Sequence, residues 1–394
     1  MIEVQNIFQE FGTRYRQKHK LPLNQLKAMS SIEACRTSAL GGHVDKCNEC
    51  GHTRISYNSC RSRHCPKCQS LAKEQWLENR KDDLLSVVYF HVVFTLPSEL
   101  NAIALRNQEV LYKILFKAVS ETLLELALDP KYLGAQTGIT ALLHTWGQNL
   151  MFHPHIHCIV PSGGLSADGV RWINSKKKFF IPVRVLSKKF KGKFIAYLQN
   201  AYFSKELKFM GEIEELSKAE LFLYLMESLR QKDWVVYCKP PFKSVEYVLQ
   251  YLGRYTHRVA ISNNRIISCE KGLVTYKWRD YSNKNKEKLM TVTSEEFIRR
   301  FLMHILPDKF VKIRHYGILG NRNKKTKLEK CKRLTGTRTT VNLKGNKRLS
   351  IEELILKISG KDITKCPCCG SGIMRKTGSL QPTACSPPMK IKTV

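Results

Sequence analysis

Phe152-His153-Pro154-His155-Ile156-His157-Cys158-Ile159-Val160 is an apolar, β-branched run that carries three imidazoles. In a strand, side chains two residues apart point to the same face. His155 and His157 therefore face one side while Ile156 packs on the other, and two ring nitrogens can converge on one divalent ion. The preceding strand, expected over 140–148, ends at Gln148, seven positions before His155. A hairpin would bring the Gln148 side-chain oxygen beside the two rings. Two nitrogens and a neutral oxygen leave positions open for water and a phosphate oxygen, which suits Mg²⁺ or Mn²⁺ as a Lewis acid. His153, which shares the parity of His155 and His157, and His144 are rival third ligands. Three histidines on one ion would point to zinc instead.

About a hundred residues later comes Tyr247-Val248-Leu249-Gln250-Tyr251-Leu252-Gly253-Arg254-Tyr255. Val245, Val248, Leu249 and Leu252 repeat at helical spacing, and Ser244 is a suitable N-cap. Tyr251 and Tyr255 are i, i+4 neighbours on one side of that apolar stripe. Their hydroxyls can reach a cleft while their rings stay supported. A phenol attacking a phosphodiester gives a phosphotyrosine that conserves the bond, so a free hydroxyl or the second tyrosine can reverse the step. The phenol needs a cation or metal beside it to ionise near neutral pH; Arg254 and Arg258 are close in sequence. Tyr247 belongs to the same i, i+4 series.

The chain has 394 residues, and 66 Lys+Arg against 33 Asp+Glu give a net charge of +33. So large a surplus seeks a polyanion, with nucleic acid ahead of a membrane surface. No apolar run reaches the ~18–20 residues of a spanning helix. Met1-Ile2-Glu3-Val4-Gln5 does not open a signal peptide. The expectation is a cytoplasmic, nucleoid-associated protein. No phosphate-cradling G-x-x-x-x-G-K-[ST] loop occurs, so separation of DNA strands would fall to host replication or helicase machinery.

Fourteen cysteines in a reducing compartment suggest zinc rather than disulfides. Cys47-x-x-Cys50 and Cys65-x-x-Cys68 read as two halves of one structural zinc site. Cys35, His43, Cys60 and His64 form a candidate second site, so one zinc ion is expected, or two. Arg61 and Arg63 beside these cysteines are candidate DNA contacts. Cys366 and Cys369 look like half of a further knuckle, with Cys368 or Cys385 as helpers.

The pattern of elements is that of an α+β protein. Residues 1–34 are expected to be helical and 35–75 to form the zinc module. Residues 80–262 would be the catalytic core, interrupted by a basic, helical insertion at about 174–232. A β/α DNA-binding region follows at 263–325, where Thr293-Ser294-Glu295-Glu296 opens a helix. Residues 326–394 are expected to be a basic, partly disordered tail. Lys176–Lys178, Lys188, Lys189, Arg299, Arg300, Arg314, Lys324, Lys325, Lys332 and Arg333 are candidate phosphate contacts.

Taken together, the Cys-rich segment, Phe94-Thr95-Leu96-Pro97, His144-Thr145-Trp146-Gly147-Gln148, His153-Pro154-His155-Ile156-His157-Cys158, Gly163-Gly164 and Tyr251-Leu252-Gly253-Arg254-Tyr255-Thr256-His257-Arg258 occur in a telling order. Over about residues 20–320 the chain resembles the two-tyrosine HUH transposases of bacterial insertion sequences that move by a rolling-circle route, the IS ninety-one type, kin to the ISCR elements and Helitrons. The resemblance implies an HUH endonuclease core: an antiparallel sheet with flanking helices, ferredoxin- or RRM-like. It implies that His155 and His157 are metal ligands with Gln148 as the third, and that Tyr251 and Tyr255 are nucleophiles. It further implies single-stranded or hairpin transposon ends and target DNA as partners. A rolling-circle replication initiator shares this chemistry. A non-catalytic zinc-dependent DNA-binding protein and, less favoured, a zinc hydrolase using His153, His155 and His157 are the alternatives from other classes.

Overall fold

The computed structural model describes residues 2–175, 181–242, 247, 248, 251, 253, 259–280, 283–337 and 349–383. The chain divides into two units. One comprises Arg80–Thr256 and Leu306–Asn346, the other Met1–Asn79, His257–Ile305 and Lys347–Val394.

The first of these units is built on β1 (Tyr89–Thr95), α1 (Gln108–Leu128), β2 (Gly138–Trp146), β3 (Phe152–Pro161), α2 (Val183–Phe203), α3 (Ala219–Gln231), β4 (Val236–Phe242) and β5 (Ile313–Gly317). The strands form a five-stranded sheet in the order β5-β2-β3-β1-β4, and every pairing is antiparallel. Paired residues share a face, so the register sorts the side chains. Ala141 pairs Cys158, and Cys158 pairs Val92, which pairs Cys238. This face is apolar and packs on α1 and α2. Phe94, fully buried, meets Phe190 of α2 edge-on at 5.1 Å, and Phe190 meets Trp234 at 5.4 Å. Leu111, Leu115, Val119 and Leu126 bury one side of α1 at near-helical spacing. Each such side chain contributes about 1.5–3 kcal/mol. The opposite face carries the histidines.

Three details differ from the sequence expectation. The amphipathic pattern of residues 101–128 reads as one long helix, but the helix breaks at Asn107 into Asn101–Arg106 and Gln108–Leu128. The Asn107 amide donates to the carbonyls of Ile103 and Lys208 at 3.1 and 2.9 Å, a side-chain bond that competes with the helical ladder. The region expected at 263–325 is divided: β5 joins the histidine sheet, while the strands before it belong to the other unit. The expected tail begins with a packed helix, Glu329–Leu334, whose Cys331 is buried in a cluster with Leu85, Leu165, Ile318, Leu319 and Leu328. At the end of β5, Gly317 holds φ +61°, and a Cβ there would lie 2.0 Å from the Thr137 carbonyl oxygen. Only glycine fits.

In the other unit the helices Val4–Lys18 and Leu23–Glu33 accompany the helix Ser294–Leu302. Phe8 meets Phe301 edge-on at 5.2 Å. The expected cap is present: Thr293 Oγ1 accepts from the Glu296 N–H at 3.2 Å. Strands Ile266–Glu270, Leu273–Asp280 and Lys286–Thr293 form one antiparallel sheet. A second sheet places Gly42–Cys47 between Thr53–Tyr57 and Met374–Leu380. The zinc module is thus completed by the far end of the chain, which corrects both the boundary at 75 and the picture of 326–394 as a separate tail.

Candidate active site

Strand register assembles the histidine face. His144 of β2 pairs directly with His155 of β3, and Leu142 pairs with His157. The ligating atoms of His144, His155 and His157 lie within 4.8 Å of one another. Gln148, the favoured third ligand, is not at the end of a strand. β2 is irregular between His144 and Trp146 and ends there, which leaves Gln148 in the turn that follows. His144 takes the cross-strand position, its ring stacked on Trp146 at 4.7 Å. His153 is exposed, and its part is played by its backbone: its carbonyl accepts from His155 Nδ1 at 2.6 Å. That bond fixes the His155 tautomer and presents Nε2 as a lone-pair donor.

His91 was missed in the sequence. It lies in β1, where the apolar run of residues 84–97 reads simply as a buried strand ended by Pro97, yet it pairs with Ile159, on the histidine face. Its Nε2 is 2.9 Å from His157 Nδ1. The visible signal was parity, since His91 is in phase with Thr95, the residue opposite His155. Burial pushes His155 down to about 4 and His91 to about 3, with the Lys239 ammonium the next cause for His91; burial also holds His157 well below its usual range. These three rings are neutral at pH 7 and can offer lone pairs without first losing a proton.

Tyr251 reaches the same place. Tyr247, Val248, Tyr251 and Gly253 are helical. The Tyr251 hydroxyl lies 2.6 Å from His91 Nε2 and 3.1 Å from His157 Nδ1. Tyr247 is 55% exposed, while Tyr251 is partly buried. Tyr255, Arg254 and Arg258 lie outside the described residues, as do Lys176–Lys178 and Cys385.

The cysteines group otherwise than their spacing suggested. Cys65 and Cys68 stand with Cys35 and Cys60, and Cys47 and Cys50 stand with Cys366 and Cys369. Neighbouring sulfurs are 3.6 Å apart in the first set (Cys35–Cys68, Cys60–Cys68) and 3.6–3.7 Å in the second (Cys50–Cys366, Cys47–Cys369). A tetrahedron with metal–sulfur bonds of ~2.3 Å has edges of roughly 3.8 Å, so both sets fit zinc. The second set is cradled by N–H groups of Glu49, Cys368 and Gly372, which donate to Cys47, Cys366 and Cys369 at 3.3–3.4 Å. The Gly372 N–H leads the contacts that lower the Cys369 thiol to about 6. His43 and His64 join neither set. His43 sits four residues ahead of Cys47 on an extended strand, 3.5 Å from Asp45, and His64 accepts from Arg63 Nε at 3.4 Å. One signal was legible: Cys50 and Cys369 are each followed by a glycine with positive φ, Gly51 and Gly370, whereas Cys68 runs into the helix Pro66–Lys81.

Several candidate phosphate contacts are engaged within the protein. Lys324 pairs with Asp83 at 2.6 Å, buried Lys332 with Glu329 at 2.8 Å, Lys189 with Glu125 at 2.9 Å, and Arg299 and Arg300 with Glu296 at 2.6 Å. The Arg314 guanidinium lies over the Phe116 ring at 4.3 Å. Arg61 is exposed beside Cys60, and Arg63 is partly buried. No described helix is long and apolar enough to cross a membrane.

The comparisons with known proteins agree with this architecture. Residues 7–96 match the family described as "Transposase zinc-binding domain", and residues 138–327 match the family described as "Putative transposase". Both point to the class of DNA transposases. The chain is 48% identical over 373 residues to "Putative transposase y4qJ" of Sinorhizobium fredii, covering 94% of each chain. It is 27% identical over 301 residues to the "Transposase for insertion sequence element IS801" of Pseudomonas savastanoi pv. phaseolicola, covering 76% of this chain and 71% of the relative. The chain belongs to the IS91 family of transposases. No solved structure is a significant match.

Proposed function

We infer that the protein is a rolling-circle transposase that cuts one DNA strand at the ends of an insertion sequence, with Tyr251 as a nucleophile in an HUH-type core. The observation that carries this is the Tyr251 hydroxyl held against His91 and His157 on the face where His144, His155 and His157 converge. The antiparallel sheet with the His155/His157 pair on its central strand supports the same assignment.

The residues that would hold a metal are His144, His155 and His157. An all-imidazole set suits zinc or a neighbouring transition ion best, with Mn²⁺ next and Mg²⁺, which prefers oxygen, last. Such an ion supplies Lewis acidity toward a phosphate oxygen. The protein does the rest. The Tyr251 oxygen forms a bond to the 5′ phosphorus as the bond to the 3′ oxygen breaks; the phenol releases its proton and the 3′ oxygen takes one up. His91, kept neutral, accepts the hydroxyl hydrogen bond and holds the oxygen in place. Tyr255 would make the second transfer, at the other end or in the target. The Cys35/Cys60/Cys65/Cys68 and Cys47/Cys50/Cys366/Cys369 sets would each hold structural zinc. Arg61 and the remaining basic surface would hold single-stranded or hairpin ends, with host enzymes separating the strands.

The test is a denaturing-gel assay for covalent protein–DNA adducts on single-stranded oligonucleotides carrying the element's ends, with Zn²⁺, Mn²⁺ or Mg²⁺ supplied in turn. Wild type is expected to form an adduct that is lost in His155→Ala and in the Tyr251→Phe/Tyr255→Phe double variant. An adduct that survives the double variant, or none from wild type that still binds the same DNA, would overturn the mechanism.

A further inference from the structure

The edge strand β4 carries an aromatic side chain for which the chemistry above gives no role. Tyr237 pairs with Val93, which pairs with His157, which pairs with Leu142. All four lie in one cross-strand row on the histidine face, and Tyr237 stands two strands, roughly 10 Å, from His157. Its ring is 51% exposed. Lys239 occupies the next position on the same face, paired with His91, and its ammonium lies 5.9 Å from the Tyr237 ring centre. The two positions together offer a flat π surface and a cation at the rim of the site. On a chain of net charge +33, a polyanion with exposed bases fits both features. Bases of single-stranded DNA stack on such rings whatever their identity, while lysines hold the backbone. A duplex keeps its bases stacked inside and cannot use the ring.

The geometry points to Tyr237 as the stacking platform for an unpaired base of the strand being cut, with Lys239 holding the adjoining phosphate, so that the strand crosses the edge of the sheet and delivers its backbone to the histidine face. This rests on the single-strand nuclease chemistry proposed above. Tyr237 is a positioning residue and does not touch the reacting phosphate.

The experiment uses the full-length protein and fluorescein-labelled single strands of about 30 nucleotides, enough to span a typical single-strand site: one with bases, one abasic throughout, and a duplex. Tyr237→Ala is expected to weaken binding to the base-bearing strand roughly 5- to 100-fold, the worth of one base stack. It should leave the abasic strand and the duplex unchanged. Tyr237→Phe and Tyr237→Trp should restore binding, and Lys239→Gln should weaken all three ligands. Circular dichroism of each variant checks folding. Tyr237→Ala binding the base-bearing strand as wild type does, or losing the abasic strand equally, overturns the proposal. Adduct formation by wild type is measured in parallel. If wild type forms adducts and Tyr237→Ala has no base-dependent effect, the platform fails alone; if wild type forms none, the nuclease chemistry itself fails.

Discussion

Replacing Cys366 by alanine separates the two ways of grouping the cysteines. In the structure Cys366 stands 3.6 Å from Cys50, and its sulfur accepts from the Cys368 N–H at 3.4 Å. Removing it leaves three sulfurs around the site and strands that hydrogen bond. Structural zinc in small modules is worth roughly 10–16 kcal/mol of apparent binding free energy, as much as the stability of a whole domain. The sheet that this site staples has little of its own to hold it: in Thr53–Tyr57 and Met374–Leu380 no residue is buried. Cys366→Ala is therefore expected to lower cysteine-bound zinc from two ions per chain to one and to abolish amide-exchange protection along Met374–Leu380. Native mass spectrometry counts the ions, and exchange mapping locates the loss. Cys47→Ala and the Cys47→Ala/Cys366→Ala double variant should also retain one ion, and Cys65→Ala/Cys366→Ala none. Two ions in Cys366→Ala, or one retained in Cys47→Ala/Cys65→Ala, would refute the grouping, because the latter result requires Cys47 and Cys65 to share a site.

Other outcomes follow from single contacts. His91→Ala removes the acceptor beside Tyr251 and the neighbour of His157, and adduct formation should fall about 10- to 100-fold; unchanged rates would show that His91 positions nothing. Gly317→Ala forces a Cβ against the Thr137 oxygen at a left-handed φ, and urea denaturation should show a loss of roughly 2 kcal/mol or more; a change under 0.5 kcal/mol, the range of ordinary surface substitutions, would contradict the close approach. Glu296 is held down to about 2, first by Arg299 and, against the opposing effect of burial, by Arg300. A depressed carboxylate stabilises the fold above its ordinary pKa of ~4.3 and loses that contribution as pH falls toward the folded value. Glu296→Gln should thus destabilise at pH 6 and converge on wild type near pH 2 in thermal melts; an equal gap at both pH values would remove the ion pairs from the account.

What the sequence showed and what it hid have separate physical causes. The β-branched run at 152–160 announced a strand, and parity put His155 and His157 on one face, because period two survives any tertiary context. Thr293 announced a helix start through a purely local hydrogen bond. The third imidazole depended on the turn: only the early end of β2 at Trp146 sets His144, rather than Gln148, opposite His155. His91 needed a partner strand 66 residues away to show which face it serves. The cysteine sets failed for the same reason, since nothing within a knuckle says which other knuckle it meets. The units are discontinuous, so boundaries drawn along the chain could not follow them. The basic residues deceived in another way: a lysine with a carboxylate neighbour, such as Lys324 beside Asp83, looks identical in sequence to one that waits for phosphate.

The strand Met374–Leu380 has a consequence in time. Cys50 and its partner Cys366 are separated by 316 residues. At a synthesis rate of ~5–20 residues per second, the first knuckle leaves the ribosome roughly 15 to 60 s before the second exists. Throughout that interval the nascent N-terminal module has one zinc site within its own reach and another that must wait. A chain whose translation aborts between Gly317 and Cys366 holds every strand of the histidine sheet and still can never close its second cysteine set. Completion of the module therefore certifies that the ribosome has read through the last ligand, and an mRNA cut short yields a protein unable to assemble the head that its opening residues began.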